Sequence, residues 1–121
     1  MMEEVSDWWK QALRDLESAR NALRCGDYYV SAFLSQQAVE KALKALYILK
    51  FNDLWKIHDL VRLARKVDAP HNIVELCAKI TPGYMATRYP DVGRKYDRGE
   101  VEGLLVAAKE VLDWVKKNLN S

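Results

Sequence analysis

The chain predicts an all-α fold, an up-and-down bundle of four to five helices whose first two form a long antiparallel hairpin, on three observations. Apolar residues recur every three or four positions along most of its length, no stretch alternates with a period of two, and Ser35 to Lys44 holds no Gly, Pro or Asn. With 121 residues, 50% hydrophobic and 30% charged, the sequence predicts a single domain over 1–121 with a packed core.

The first helix is expected from about Ser6 to Cys25, with Trp9, Ala12, Leu13, Leu16, Ala19, Ala22 and Leu23 on one stripe. Ser6 is placed to cap its start, and Gly26 to stop it in a left-handed conformation. Asp27 can open the second helix, which runs to about Lys50; with only Gly26-Asp27 between them, the two helices must fold back on each other. A short third helix from Asp59 to Val67 buries Leu60, Val61, Leu63 and Ala64. Pro70 separates it from a fourth, His71 to Ile80, that carries Ile73, Leu76, Cys77 and Ile80 inward. Thr81-Pro82-Gly83 predicts a break or kink, and Tyr84 to Gly99, with Pro90, Gly93, Gly99 and dense charge, mainly a loop. The closing helix, Glu100 to Asn118, places Val101, Leu104, Leu105, Ala108, Val111, Leu112 and Val115 on one face.

Composition narrows the function classes. No apolar run reaches the length of a membrane span and no basic-then-apolar leader opens the chain, so no membrane association and a cytoplasmic location are expected. Cys25 and Cys77 lack metal-ligand spacing and read as helix-packing thiols, and neither metal nor cofactor is expected. A net charge of +2 does not announce a nucleic-acid binder, yet Tyr84 to Gly99 alone carries +2, with Arg88, Arg94, Lys95 and Arg98 against Asp91 and Asp97.

The second helix carries a polar stripe. Gln37, Lys41 and Lys44 share one face with Gln36 and Glu40 beside them, while Ala38, Val39, Ala42, Leu43 and Leu46 face a core. Gln36, Gln37 and Glu40 read as a hydrogen-bonded network. Lys41 and Lys44 either join Arg88 and Arg94 in a basic cleft suited to phosphate or form a solvated face. Tyr84 and Tyr89 interleave with these cations as a stacking surface for a base would require, or plug the loop onto the bundle. Trp8, Trp9, Trp55 and Trp114 are assigned to core or interface.

Several motifs stand in order: Trp8-Trp9, Ala12 and Asp15-Leu16; Gly26-Asp27-Tyr28; Ala32-Phe33 leading into Gln36-Gln37-Ala38-Val39-Glu40-Lys41-Ala42-Leu43-Lys44-Ala45; His58-Asp59-Leu60; Arg88-Tyr89-Pro90-Asp91. Together they resemble the HEPN domain family across nearly the whole chain. That resemblance implies a dimer of helical bundles, paired with a minimal nucleotidyltransferase in a toxin–antitoxin or defence unit. It also implies, in active members, metal-independent ribonuclease chemistry from an Arg and a His separated by four to six intervening residues. A Tyr two positions after that His is the one that the nucleotidyltransferase modifies with AMP.

Mapped onto this motif, Arg88 takes the Arg position, Arg94 stands where His is expected, and Tyr96 falls on the modifiable Tyr. Cutting RNA without metal requires a group that exchanges a proton near neutral pH, which imidazole does and guanidinium does not. The segment therefore keeps charge for a nucleotide or RNA phosphate and lacks its acid–base residue. Two alternatives stand beside this reading. An active ribonuclease would use Arg88 with His58, or with His71, which follows Arg65 at a matching distance; a purely structural dimerisation module would use stripe and loop for packing. Asp59 and Asp91 are assigned with Gln36, Gln37 and Glu40 to the structural polar network, and His58 or Asp59 can cap the third helix.

Overall fold

The computed structural model describes residues 2–88 and 96–120, the side chains of 82–88 excepted. Five helices make up the described residues: α1 (Glu3–Arg24), α2 (Tyr28–Phe51), α3 (Leu60–Lys66), α4 (His71–Arg88) and α5 (Arg98–Leu119).

Local chemistry sets most boundaries. α1 starts before Ser6: Glu3 and Glu4 place negative charge on its first turn, and the Ser6 amide already donates to the Met2 carbonyl at 3.0 Å. Its end follows the Gly26 expectation. Gly26 adopts φ 79°, its amide donates to the Leu23 carbonyl (3.1 Å), and the Asp27 amide reaches back to that of Ala22 (2.9 Å). Asp27 precedes α2 without a side-chain cap bond, and the hairpin is pinned instead by Ser31 Oγ, which donates to the Ala19 carbonyl at 2.7 Å. Asn52, at φ 52°, closes α2. The Asp59 carboxylate accepts from the Arg62 amide at 3.1 Å and Asp97 from that of Glu100 at 2.8 Å, so α3 and α5 carry caps of the kind worth about 1 kcal/mol each.

α4 corrects the expected break. It passes through Pro82 and Gly83 to Arg88, so Tyr84 to Arg88 of the segment expected as loop belong to α4, and Arg98 and Gly99 open α5. Proline removes one helical N–H and typically costs about 3 kcal/mol in a helix interior. The packing of α4 against α2, α3 and α5 offsets this, and Thr81 Oγ1 adds a bond to the Cys77 carbonyl at 2.8 Å.

Helix α2 is the axis of the bundle and packs against each of the other four. Ala38, Val39, Ala42, Leu43, Ala45 and Leu46 are all fully enclosed, and around them close Leu16 and Ala19 of α1, Leu63 of α3, Ile80 of α4 and Val111 and Val115 of α5. Two expectations fail at the edges. Leu13 is 45% exposed, and Cys25 sits in solvent at the end of α1. Cys77 does pack inside, where burial pushes its thiol up to about 12. Among the described residues no helix is long and apolar enough to cross a membrane.

Candidate functional site: a buried carboxylate hub on the central helix

The other four helices pack around the middle turns of α2, so most of its polar stripe is closed to water. Gln36, Glu40 and Lys44, one turn apart, are each no more than 4% exposed. The Glu40 carboxylate is the hub. Its Oε1 accepts from Gln36 Nε2 at 3.2 Å, and its Oε2 accepts from Lys44 Nζ at 3.0 Å and lies 3.0 Å from His58 Nδ1. Gln37 extends the chain, its Nε2 donating to Gln36 Oε1 at 2.8 Å. The sequence-derived network of Gln36, Gln37 and Glu40 thus lies within one chain, and it recruits two further residues, Lys44 and His58.

Lys44 requires a correction. It neither faces a phosphate nor stands in solvent: its ammonium is bonded to Glu40 and sits 5.7 Å from the centroid of the Trp8 ring. Burying an ion costs several kcal/mol unless it is paired and hydrogen-bonded, and Glu40 is the partner that makes Lys44 tolerable here. Lys41 is committed too, though less deeply. Its Nζ lies 2.5 Å from Asp15 Oδ2, while Gln11 Nε2 donates to Asp15 Oδ1 at 3.0 Å. Part of Lys41 remains accessible, and with Asp7, Trp8 and Gln11 it lines a shallow recess beside α1.

Asp15 and Trp8 were not singled out from sequence as parts of this site. The signal for Asp15 was present: it lies between Ala12 and Ala19 on the buried stripe of α1, where a carboxylate needs a cation from a neighbouring helix. Trp8 carried no comparable signal.

His58 arrives on the extended segment between α2 and α3, its side chain 53% exposed. An ionised carboxylate only accepts, so the bond to Glu40 makes Nδ1 the donor and fixes the ring's orientation. Asp59, next in sequence, is the cap of α3 rather than a member of the hub. His71 is elsewhere. It is solvent-exposed at the first residue of α4, with Nε2 2.8 Å from Glu75 Oε1, while Arg88 ends the same helix, about 25 Å away along its axis. One chain therefore does not bring His71 to Arg88.

At the other end of the cationic segment, the Arg98 guanidinium is bonded to Glu102 and to Tyr28, which raise its pKa further above the ordinary arginine value. Tyr96 is buried against the core at 7% exposure, so an enzyme acting on its hydroxyl requires the lead-in to α5 to withdraw first. Tyr89, Asp91 and Arg94 lie outside the described residues, as do the side chains of Tyr84 and Arg88. Among the described residues no three metal-ligating side chains converge.

Comparison with known proteins agrees with this architecture. A protein from Thermus thermophilus is 32% identical, with 97% of this chain and 99% of that one covered at a TM-score of 0.88. An archaeal HEPN homologue is 34% identical, covering 96% and 98% of the two chains at a TM-score of 0.82. A HEPN domain protein from Thermotoga maritima, at 22% identity and a TM-score of 0.73 over 94% and 98% of the chains, shares the fold. No curated protein matches the chain. The HEPN domain model matches residues 5–118, nearly the full length, and the chain belongs to the HEPN domain family.

Proposed function

We propose that this protein is a homodimeric HEPN protein that pairs with a minimal nucleotidyltransferase in a cytoplasmic toxin–antitoxin or defence-type unit. It holds a nucleotide or RNA phosphate on its cationic segment without cutting it. The observation that carries this reading is the chemistry of Arg88 to Arg98, which contains Arg88, Arg94, Lys95 and Arg98 and no histidine. Guanidinium groups bind phosphate through paired donors and stay charged throughout the working pH range, which suits capture and not proton transfer. Of the stripe lysines, Lys41 stays in the proposed binding set at its edge, whereas Lys44 serves Glu40. Tyr84 and Tyr89 supply ring faces in the same stretch of sequence, and Tyr96 is the proposed site of modification.

Titration with ATP and with a short RNA at low salt tests the binding, since phosphate contacts weaken steeply as salt rises. The expected result is saturable binding of at least one ligand, weakened several-fold or more in both Arg88→Ala and Arg94→Ala. No signal from either ligand would instead leave a structural dimerisation module. A short nucleotidyltransferase reading frame beside the gene is the expected genetic context.

One specific observation favours a second reading. A carboxylate that fixes an imidazole by its Nδ1, as Glu40 does for His58, is an arrangement that suits a general acid or base. In that reading the protein is a metal-independent ribonuclease in which Arg88 stabilises the charge developing on phosphorus and His58 moves the proton.

A further inference from the structure

A second surface, remote from the Arg88 segment, combines aromatic rings with cations. Tyr47 and Phe51 on α2 have ring centroids 4.7 Å apart, and Trp55 on the following segment stands 5.7 Å from Tyr47, so three rings form a continuous ladder. Two cations of α3, one turn apart, lie over its two outer members: the Arg62 guanidinium 5.0 Å from the centre of Trp55, and Lys66 Nζ 5.6 Å from that of Phe51. Phe51 is 43% exposed, and Lys50, Lys56 and Arg65, each next in sequence to a member of this cluster or its cations, are exposed. From Tyr47 to Asp68 five cations face three carboxylates, and one of those, Asp59, is occupied in capping α3.

The core alone explains the buried edges of Tyr47 and Trp55. It does not explain an exposed phenylalanine at the end of the helix, or why two cations one turn apart should lie over rings. We propose that this face is a docking platform for single-stranded nucleic acid, with a base stacking on the outer plane of Arg62 and its neighbour packing against the exposed edge of Phe51, while Lys66, Arg65, Lys50 and Lys56 meet the phosphates. Every base offers a ring face, so such a platform accepts sequence broadly, and an arginine already stacked on tryptophan extends the pile by one layer. Charge selects the occupant, since the excess of cations suits a polyanion that also carries flat rings.

The platform is independent of the Arg88 reading. Phe51 ends α2, whereas Tyr28, which begins it, is bonded to Arg98 of the cationic segment, and the two ends of α2 lie about 35 Å apart.

Fluorescence anisotropy of a labelled oligouridylate RNA, with oligothymidylate DNA in parallel, tests it on the full-length protein. The combined variant Phe51→Ala, Arg62→Ala, Lys66→Ala is expected to lose about tenfold or more in affinity for at least one of the two strands, relative to wild type. Arg88→Ala, Arg94→Ala serves as the background in which the platform alone is read, and residual binding there should disappear when the platform substitutions are added. Lys66→Glu, a change at an exposed position, keeps the test open if the triple variant misfolds, and it too should weaken binding. Unchanged affinity in the platform variants would overturn the proposal. Failure of both strands to bind would overturn it as well, and capture of polyglutamate at this face would then make it an interface for an acidic protein.

Discussion

Glu40→Ala is expected to lower the free energy of unfolding by about 3–5 kcal/mol, the range for removing one partner of a buried ion pair. The substitution leaves the Lys44 ammonium enclosed beside Trp8 without its counter-charge, and takes the acceptor from Gln36 and from His58 Nδ1. Urea denaturation followed by far-ultraviolet circular dichroism reads the loss. A cycle with Lys44→Ala makes the assignment specific. The double variant should lose clearly less than the sum of the two single variants, because each single change strands a charge and the double change strands none. An effect of Glu40→Ala within about 0.5 kcal/mol, the usual range for a surface site, would mean that the hub is open to water and that its geometry has been misjudged.

Leu43→Ala carries the second large effect, about 2–5 kcal/mol, through lost burial and the cavity left behind. Leu43 lies fully enclosed on the helix that every other helix touches, so no neighbour can close the gap without moving a shared element. Leu13→Ala removes the same atoms from a residue that is 45% exposed and should cost about 1 kcal/mol or less. Parallel denaturation of the two variants separates them; equal losses would contradict the placement of Leu13 at the surface.

This pair of leucines also shows what periodicity can and cannot resolve. Leu13 and Leu16 share the stripe of α1, yet a stripe is wider than its buried strip, and the positions of α2 and α5 against α1 decide which edge is covered. Helix identities were legible because capping chemistry is local: Gly26 and Asp59 act within a few residues, and both perform the roles their types predict. Pro82 was misread for the opposite reason. Whether a proline ends a helix depends on the tertiary contacts that offset its missing bond, and those lie on α2, α3 and α5.

At the candidate site the polar stripe was legible as a network, but its burial was not. The run around Glu40 looks like one polar face of a half-exposed helix, and only the packing of four helices around α2 turns that face inward. The same enclosure withdraws Lys44 from any phosphate. His58 could be named from sequence as a candidate, but its contact with Glu40 depends on the segment after Asn52 folding back along α2, which no periodicity encodes.

Capture without cleavage is the central claim, and incubation of the purified protein with RNA in the presence of a metal chelator tests it most directly. RNA of unchanged length is expected after prolonged incubation with the wild-type protein, under conditions in which binding is measurable. Cleavage that is abolished by both Arg88→Ala and His58→Ala would contradict it and establish the Glu40-oriented imidazole as the missing acid–base group.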